Sequence, residues 1–316
     1  MNQVDLGRPR TPRQYLRLFL TGFAMGSADI VPGVSGGTMA FILGIYETLI
    51  GAIKSFNVKA IRLAISLKLR DLFEHVPFGF LIAVGMGILT AIFALSSLLH
   101  DALEYYPTYV FAFFGGLVLA SIIAVGAKLR YTPAVIAVLV LFSVVAFVVV
   151  GLQEVQTTDH SPLTLFISGA IAICAMILPG ISGSFILLIL GQYHHVLGSV
   201  RALDIVSLGA VALGALVGIV GFSRVLSFLL KHYEQLTIAA LTGFMIGSLR
   251  TVWDRSAAGT ETLPQFGAAE LALAVGLLLL GFLIVSFLDH LQSGKNPIFA
   301  LFWRPRTAPV NPANGN

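Results

Sequence analysis

The sequence predicts an all-α membrane protein, an inverted repeat of two re-entrant helical hairpins and about six full transmembrane helices. Three observations predict it. The 316 residues are 57% hydrophobic and 11% charged, with mean hydropathy +0.92, whereas soluble domains are about 45–50% apolar and about 25% charged. An internal repeat relates the two halves. Most Lys and Arg fall on one side of the expected spans. Such a composition excludes a water-soluble enzyme, a nucleic-acid-binding domain and extended disorder. Cys174 is the only cysteine, so neither an intrachain disulfide nor a cysteine metal cluster is expected.

Residues 1–14 form a basic N-terminus. Arg8, Arg10, Arg13 and Arg17 precede an apolar run, as in a signal peptide, but no clear A-x-A site follows. The same segment recurs later in the chain, so it reads as mature structure. Residues 18–54 and 165–201 share 14 of 37 positions at an offset of 147, including Pro32/Pro179, Gly33/Gly180, Ser35/Ser182, Gly36/Gly183, Gly44/Gly191 and Tyr46/Tyr193. Residues 83–121 and 210–248 share 12 of 39 at an offset of 127. The difference is an insertion in the first half, the charged, amphipathic stretch 57–76, which fits a helix on the membrane surface.

The first repeat therefore covers 15–151: a hairpin at 15–54, the insertion, and spans near 78–99, 108–127 and 132–151. An external linker at 152–162 follows. The second repeat covers 163–290: a hairpin at 163–201 and spans near 206–230, 236–250 and 267–288. A cytoplasmic tail covers 291–316, of which 304–316 reads as disordered. Each hairpin has about 16 apolar residues, a Pro-Gly-Ser-Gly break, and about 16 more. As helix, 16 residues reach about 24 Å, short of the ~30 Å hydrocarbon core. A re-entrant hairpin broken inside the membrane is the simplest reading, and two tilted full spans are the alternative.

With both termini in the cytoplasm, 15 Lys and Arg lie in inner segments and three (Arg201, Arg250, Arg255) in outer ones, with Arg224 inside a span. That is a positive-inside pattern. Three spans then separate the hairpins, so they enter from opposite faces. This is the pattern of an inverted-repeat transporter, with its site near the midplane.

Broken helices leave backbone groups that hydrocarbon cannot satisfy. Pro32 and Pro179 end the first arms. Gly33, Gly36, Gly37, Gly180 and Gly183 let a ligand approach the backbone, and Ser35, Thr38, Ser182 and Ser184 add hydroxyls. The second arms point their free amides and positive dipole ends inward, which suits an anion such as a phosphate or carboxylate. Gly22, Gly44 and Gly51 read instead as close helix packing. Arg224, the one basic residue inside a span, offers a fork for phosphate, with snorkelling as the rival explanation. Arg250 is a weaker candidate for attracting an anionic headgroup. Asp29, three residues before Pro32, is a buried acid at an arm's C-terminal end and a candidate to carry a coupling H⁺ or Na⁺; capping of the break is its rival role. Glu47 is a second coupling candidate, nearer the interface, where solvation explains it equally well. His194 and His195 read as interfacial and solvated. No metal site or cofactor is expected.

The motifs GSADIVPGVSGGTMAFILGIYETLI (26–50) and ILPGISGSFILLILGQY (177–193) resemble the polyprenyl-phosphate transporter family, formerly a domain of unknown function. The resemblance covers roughly 15–290. It implies a multi-pass protein of the cytoplasmic membrane, not an enzyme, that moves undecaprenyl phosphate or a related C50–C55 carrier from the outer to the cytoplasmic leaflet for cell-envelope synthesis. Asp29, Pro32, Gly33, Ser35, Gly36, Gly37, Thr38 and Glu47 carry its first motif, and Pro179, Gly180, Ser182 and Gly183 its second. The implied partners are the lipid phosphate, membrane lipids and a coupling ion, not nucleic acid. An inside-negative potential opposes inward movement of an anion by about 2.3 kcal/mol per charge per 100 mV, which is the reason to expect coupling. The tail would lie in a lateral opening between spans. A symporter of a small organic or inorganic anion is the alternative. An intramembrane phosphatase is disfavoured, because the seven His are scattered and few acids fall inside spans.

Overall fold

In the computed structural model, which describes residues 7–31, 35–153, 155, 157–256 and 267–293, the chain is helical, with no strand among the described residues. The first half runs α1 (Pro12–Ile30), α2 (Gly36–Ile42), α3 (Tyr46–Lys54), α4 (Val58–Ile65), α5 (Leu69–His75), α6 (Phe78–Tyr105), α7 (Pro107–Gly126) and α8 (Pro133–Val150). The second runs α9 (Pro162–Ile177), α10 (Gly183–Ile189), α11 (Tyr193–Ala202), α12 (Ile205–His232), α13 (Glu234–Ser256) and α14 (Ala268–Ser293). Apart from α4 and α5, element order repeats: α2 and α10 have 7 residues each, and α6 and α12 have 28 each. Helix starts follow local chemistry. Thr11, Thr132 and Ser161 accept amides as N-caps, each followed by proline in the first turn, where a missing N–H costs nothing.

Five helices, α6, α7, α8, α12 and α14, are long and apolar enough to cross a membrane. The sixth expected span, 236–250, lies within a longer, 23-residue helix, α13. Thr237, Thr242, Ser248 and Thr251 are buried along it, and Arg250 and Asp254 lie near its end. A buried helix can carry hydroxyls that bond back to its own carbonyls, as Thr237, Thr242 and Ser248 do.

A second difference concerns the hairpins. The stretch after each break is not one arm of about 16 residues. It is two short helices, and α2 and α3 meet at 116°. Gly44 turns the chain with φ +71°, and Gly191 does the same with φ +68°, a conformation that costs other residues about 1–2 kcal/mol. Gly44 is thus a turn residue, not a packing residue as expected. The insertion also differs. It forms two helices, α4 and α5, split at Leu67 with φ +53°, and Val58, Ile61, Ile65, Leu67 and Phe73 are exposed on it.

Glycines let the long helices touch. α1 lies along α6 and α9 along α12. A Cβ on Gly22 would strike the Val84 backbone, and one on its repeat partner Gly169 the Val211 backbone. Packing then crosses between halves. α14 lies along α7, and α8 along α13, while α7 and α13 pack on each other. Gly116 sits against Leu278, and Gly243 against Leu139. Lys128 pairs with the buried Asp289 at 3.5 Å, tying the end of α7 to α14. The largest apolar core gathers α1, α2, α3, α6 and α7 with Ile177 from the end of α9.

Candidate functional site

The site is built where the start of α2 meets the end of α9. The last carbonyls of a helix have no intrahelical partner. At α9 the first hairpin supplies partners. The Ser35 hydroxyl lies 3.4 Å from the carbonyls of both Met176 and Leu178, and the Tyr46 hydroxyl donates to the Ile177 carbonyl at 3.1 Å. Tyr46 is buried, packed at 5.1 Å against the Phe41 ring. Gly37 completes the approach, since a Cβ there would lie 2.9 Å from the Ile177 oxygen. Ser35 and Met176, 141 residues apart in sequence, thus bring the first break against the end of α9, directly before the second break.

At the first break, Gly36 donates its N–H to the Asp29 carboxylate at 2.7 Å, and Gly37 donates to the Ser35 hydroxyl at 3.1 Å. Asp29 thus does what its rival reading held: it caps the break. The positive end of α2 faces a carboxylate and the carbonyl end of α9, so this tip is occupied by negative partners. Thr38 is buried, and its hydroxyl has no hydrogen-bond partner among the described residues. Pro32 and Gly33 lie outside the described residues.

The second break is chemically different. Met176 takes the place of Asp29, and a Cβ on Gly183 would lie 3.3 Å from the Met176 Cβ. Ser182 makes no side-chain cap to α10; its hydroxyl and that of Ser184 lie 2.7 Å apart. Gly180 has φ +94° and sits on α13, where an added Cβ would lie 2.6 Å from the Ser248 hydroxyl and 3.1 Å from the Met245 Cα.

Other candidates lie apart from this junction. Arg224 is exposed on α12, beside the fully buried Ser223. Glu47 is exposed in the first turn of α3. Arg250 is engaged within the protein: it donates to the Phe147 carbonyl at 3.0 Å, lies 4.5 Å from the Phe147 ring centroid, and pairs with Asp254 at 3.3 Å. It caps the end of α8, and a headgroup role for it is not supported.

Two residues were missed from sequence. Tyr46 was seen as a repeat match, but not as the donor that binds one break to the other. Gln192, repeat partner of Ile45, is buried at the second bend and donates to the Asp159 carbonyl at 3.0 Å, while its side-chain oxygen meets His160 Nδ1 at 2.8 Å. His160 stacks on His195 at 4.1 Å, so His195 is packed rather than merely solvated. Here hydrogen bonds from the Thr164 hydroxyl and from Ser161 hold Asp159 below the usual carboxylate range, and those from Ser207 do the same for Asp204. Among the described residues, no group of three or more His, Cys, Asp or Glu is placed to hold a metal ion.

The chain is 40% identical over 241 residues to a polyprenyl-phosphate transporter of Vibrio cholerae serotype O1, covering 76% of this chain and 78% of that protein. It is 32% identical over 255 residues to a polyprenyl-phosphate transporter of Staphylococcus aureus, covering 74% of this chain and 84% of that protein. No solved structure matches it. A family model described as undecaprenyl phosphate translocase-like matches residues 25–269, which include both breaks and all of α2 through α13. The chain belongs to this VCA0040-like, undecaprenyl phosphate translocase-like family.

Proposed function

We propose that this multi-pass membrane protein carries a polyprenyl phosphate, undecaprenyl phosphate or a close relative, from the outer to the cytoplasmic leaflet of the cell membrane by alternating access. The carrying observation is the contact between two broken segments, Ser35 and Tyr46 on the carbonyl end of α9, in a chain whose relatives are polyprenyl-phosphate transporters. In this reading the domains are 15–151 and 163–290, inverted relative to each other, with both termini cytoplasmic. The 15-to-3 distribution of basic residues supports that orientation. Each hairpin is re-entrant, and α4–α5 lie on the inner membrane surface, where their exposed apolar side chains have a partner.

The chemistry divides between the breaks. The second, with the Ser182 and Ser184 hydroxyls, Gly180, Gly183 and no carboxylate, receives the phosphate. The first, where the Asp29 carboxylate caps α2 and the carbonyl end of α9 lies close by, gathers negative groups that suit a cation and carries the coupling H⁺ or Na⁺. Thr38 lies between the two roles with a hydroxyl to offer. Arg224 and Glu47, both exposed, are assigned to headgroup approach and interfacial solvation rather than to the central site.

The test is leaflet exchange of a polyprenyl phosphate in proteoliposomes, with and without imposed pH and Na⁺ gradients. Exchange that depends on protein is expected, with Asp29→Asn losing the gradient dependence. Absence of exchange overturns the function, and indifference to both gradients overturns the coupling.

A further inference from the structure

A cavity of about 490 Å³ opens between α6, α7 and α14 and reaches Ser27 on α1. That volume is in the range that holds a drug-sized apolar ligand. Leu95, Leu99 and Ala102 of α6, Phe113 of α7 and Leu277 of α14 give it apolar walls. Its few polar groups do not favour a soluble ligand. The Ser27 hydroxyl is already spent on the Phe23 carbonyl at 2.8 Å. Tyr106 and Tyr109, with rings 6.3 Å apart, stand where α6 turns into α7, as amphipathic rings do at a membrane interface. The inner end of the cavity, Ser27, lies two residues before Asp29, which holds the first break.

The repeat lines the equivalent position with different side chains. At the offset of 127, Leu95 corresponds to Phe222 and Ala102 to Leu229. Both replacements are larger, whereas Tyr109, Val110, Phe113 and Phe114 correspond to the smaller Leu236, Thr237, Ala240 and Leu241. α3 also packs over α12, with Lys54 Nζ donating to the Ser227 hydroxyl at 2.9 Å. Among the described residues, α11 makes no packing of that extent against α6. The two halves thus differ at this position in the helix that covers the long span.

We propose that the cavity between α6, α7 and α14 holds the head-proximal isoprene units of the substrate lipid while its phosphate lies at the breaks. This rests on the lipid-transport reading above. The cavity is too small for a C50–C55 chain, so the rest of the tail stays in the bilayer. The α3–α12 contact closes the opposite side, so the structure is in the state that loads substrate from the α6–α7 corner.

The experiment uses the full chain in proteoliposomes and a polyprenyl phosphate carrying a photoreactive group on its first isoprene units. Crosslinks are expected on α6, α7 or α14 within 95–114 and 273–277, competed by unlabelled polyprenyl phosphate but not by phosphatidylglycerol. The double variant L95F/A102L installs the other half's own residues, and its KM for the lipid is expected to rise at least about tenfold, the cost of displacing a few buried methylenes. Crosslinks elsewhere, or equal competition by phosphatidylglycerol, overturn the assignment even if the double variant fails to fold. Wild-type protein that moves no polyprenyl phosphate sinks the transport reading instead. Wild type that moves it, beside a double variant of unchanged KM, sinks the cavity alone.

Discussion

At the first break Asp29 sits over the start of α2 and accepts the Gly36 amide, whereas at the second break the same repeat position is Met176, packed near Gly183. Ser35 caps Gly37 and reaches across to α9, while Ser182 makes no cap. Tyr46 is buried and donates to Ile177, while Tyr193 is half-buried against His194 at 5.5 Å. A shared Pro-Gly-x-Ser-Gly frame thus carries two different electrostatic settings. Both tips share the backbone need, and one side chain beside each sets the charge.

Exchanging the acid tests that contrast most severely. Met176→Asp places a carboxylate at the second tip, and lipid-phosphate exchange is expected to be abolished. Asp29→Asn keeps an oxygen for the Gly36 amide, so stability should stay within about 0.5 kcal/mol while exchange falls at least about tenfold. Normal exchange in both variants would erase the distinction. Next in size is Gly180→Ala, which combines a left-handed φ with a clash against α13; a loss of roughly 2–4 kcal/mol in thermal unfolding is expected. Gly36→Ala should cost less, because its Cβ meets a carboxylate that can swing away.

Ser35→Ala removes a cap and the bridge to Met176 and Leu178, for about 1 kcal/mol, and Ser182→Ala should cost under about 0.5 kcal/mol yet slow exchange more. Equal stability losses would mean the two serines do the same job. The smallest effect is acid sensitivity of the second half's rim. Asp159 and Asp204 have pKa values lowered in the folded state. The stability they contribute is therefore present above the unfolded value of about 3.9 and is lost as pH falls through the folded values. Hydrogen exchange at 157–165 and 203–208 should rise on going from pH 7 to pH 3, with little change around Thr11, whose cap has no titrating group.

Much of this was legible in the sequence. Proline, glycine and serine at matched distances marked both breaks, and long apolar runs marked six spans, each of which falls on a helix. Charge at Asp29 against Met176 was also visible. What escaped depended on facing and on second bends. Arg224 follows Ser223, and only the helix's rotation decides that Ser223 is buried and Arg224 exposed. The bends at Gly44 and Gly191 sit inside apolar runs with no proline to punctuate them. Their signal was a glycine two residues before a tyrosine in both copies. α13 runs beyond the expected 236–250 to 23 residues, with buried hydroxyls bonded to its own carbonyls. Arg250's carbonyl and ring partners come from α8, about 100 residues away in sequence, which no local pattern encodes.

The exchange of last helices, α14 onto α7 and α8 onto α13, means that neither half closes on itself. Each lends its final helix to the other, so the two halves are interlocked rather than merely adjacent.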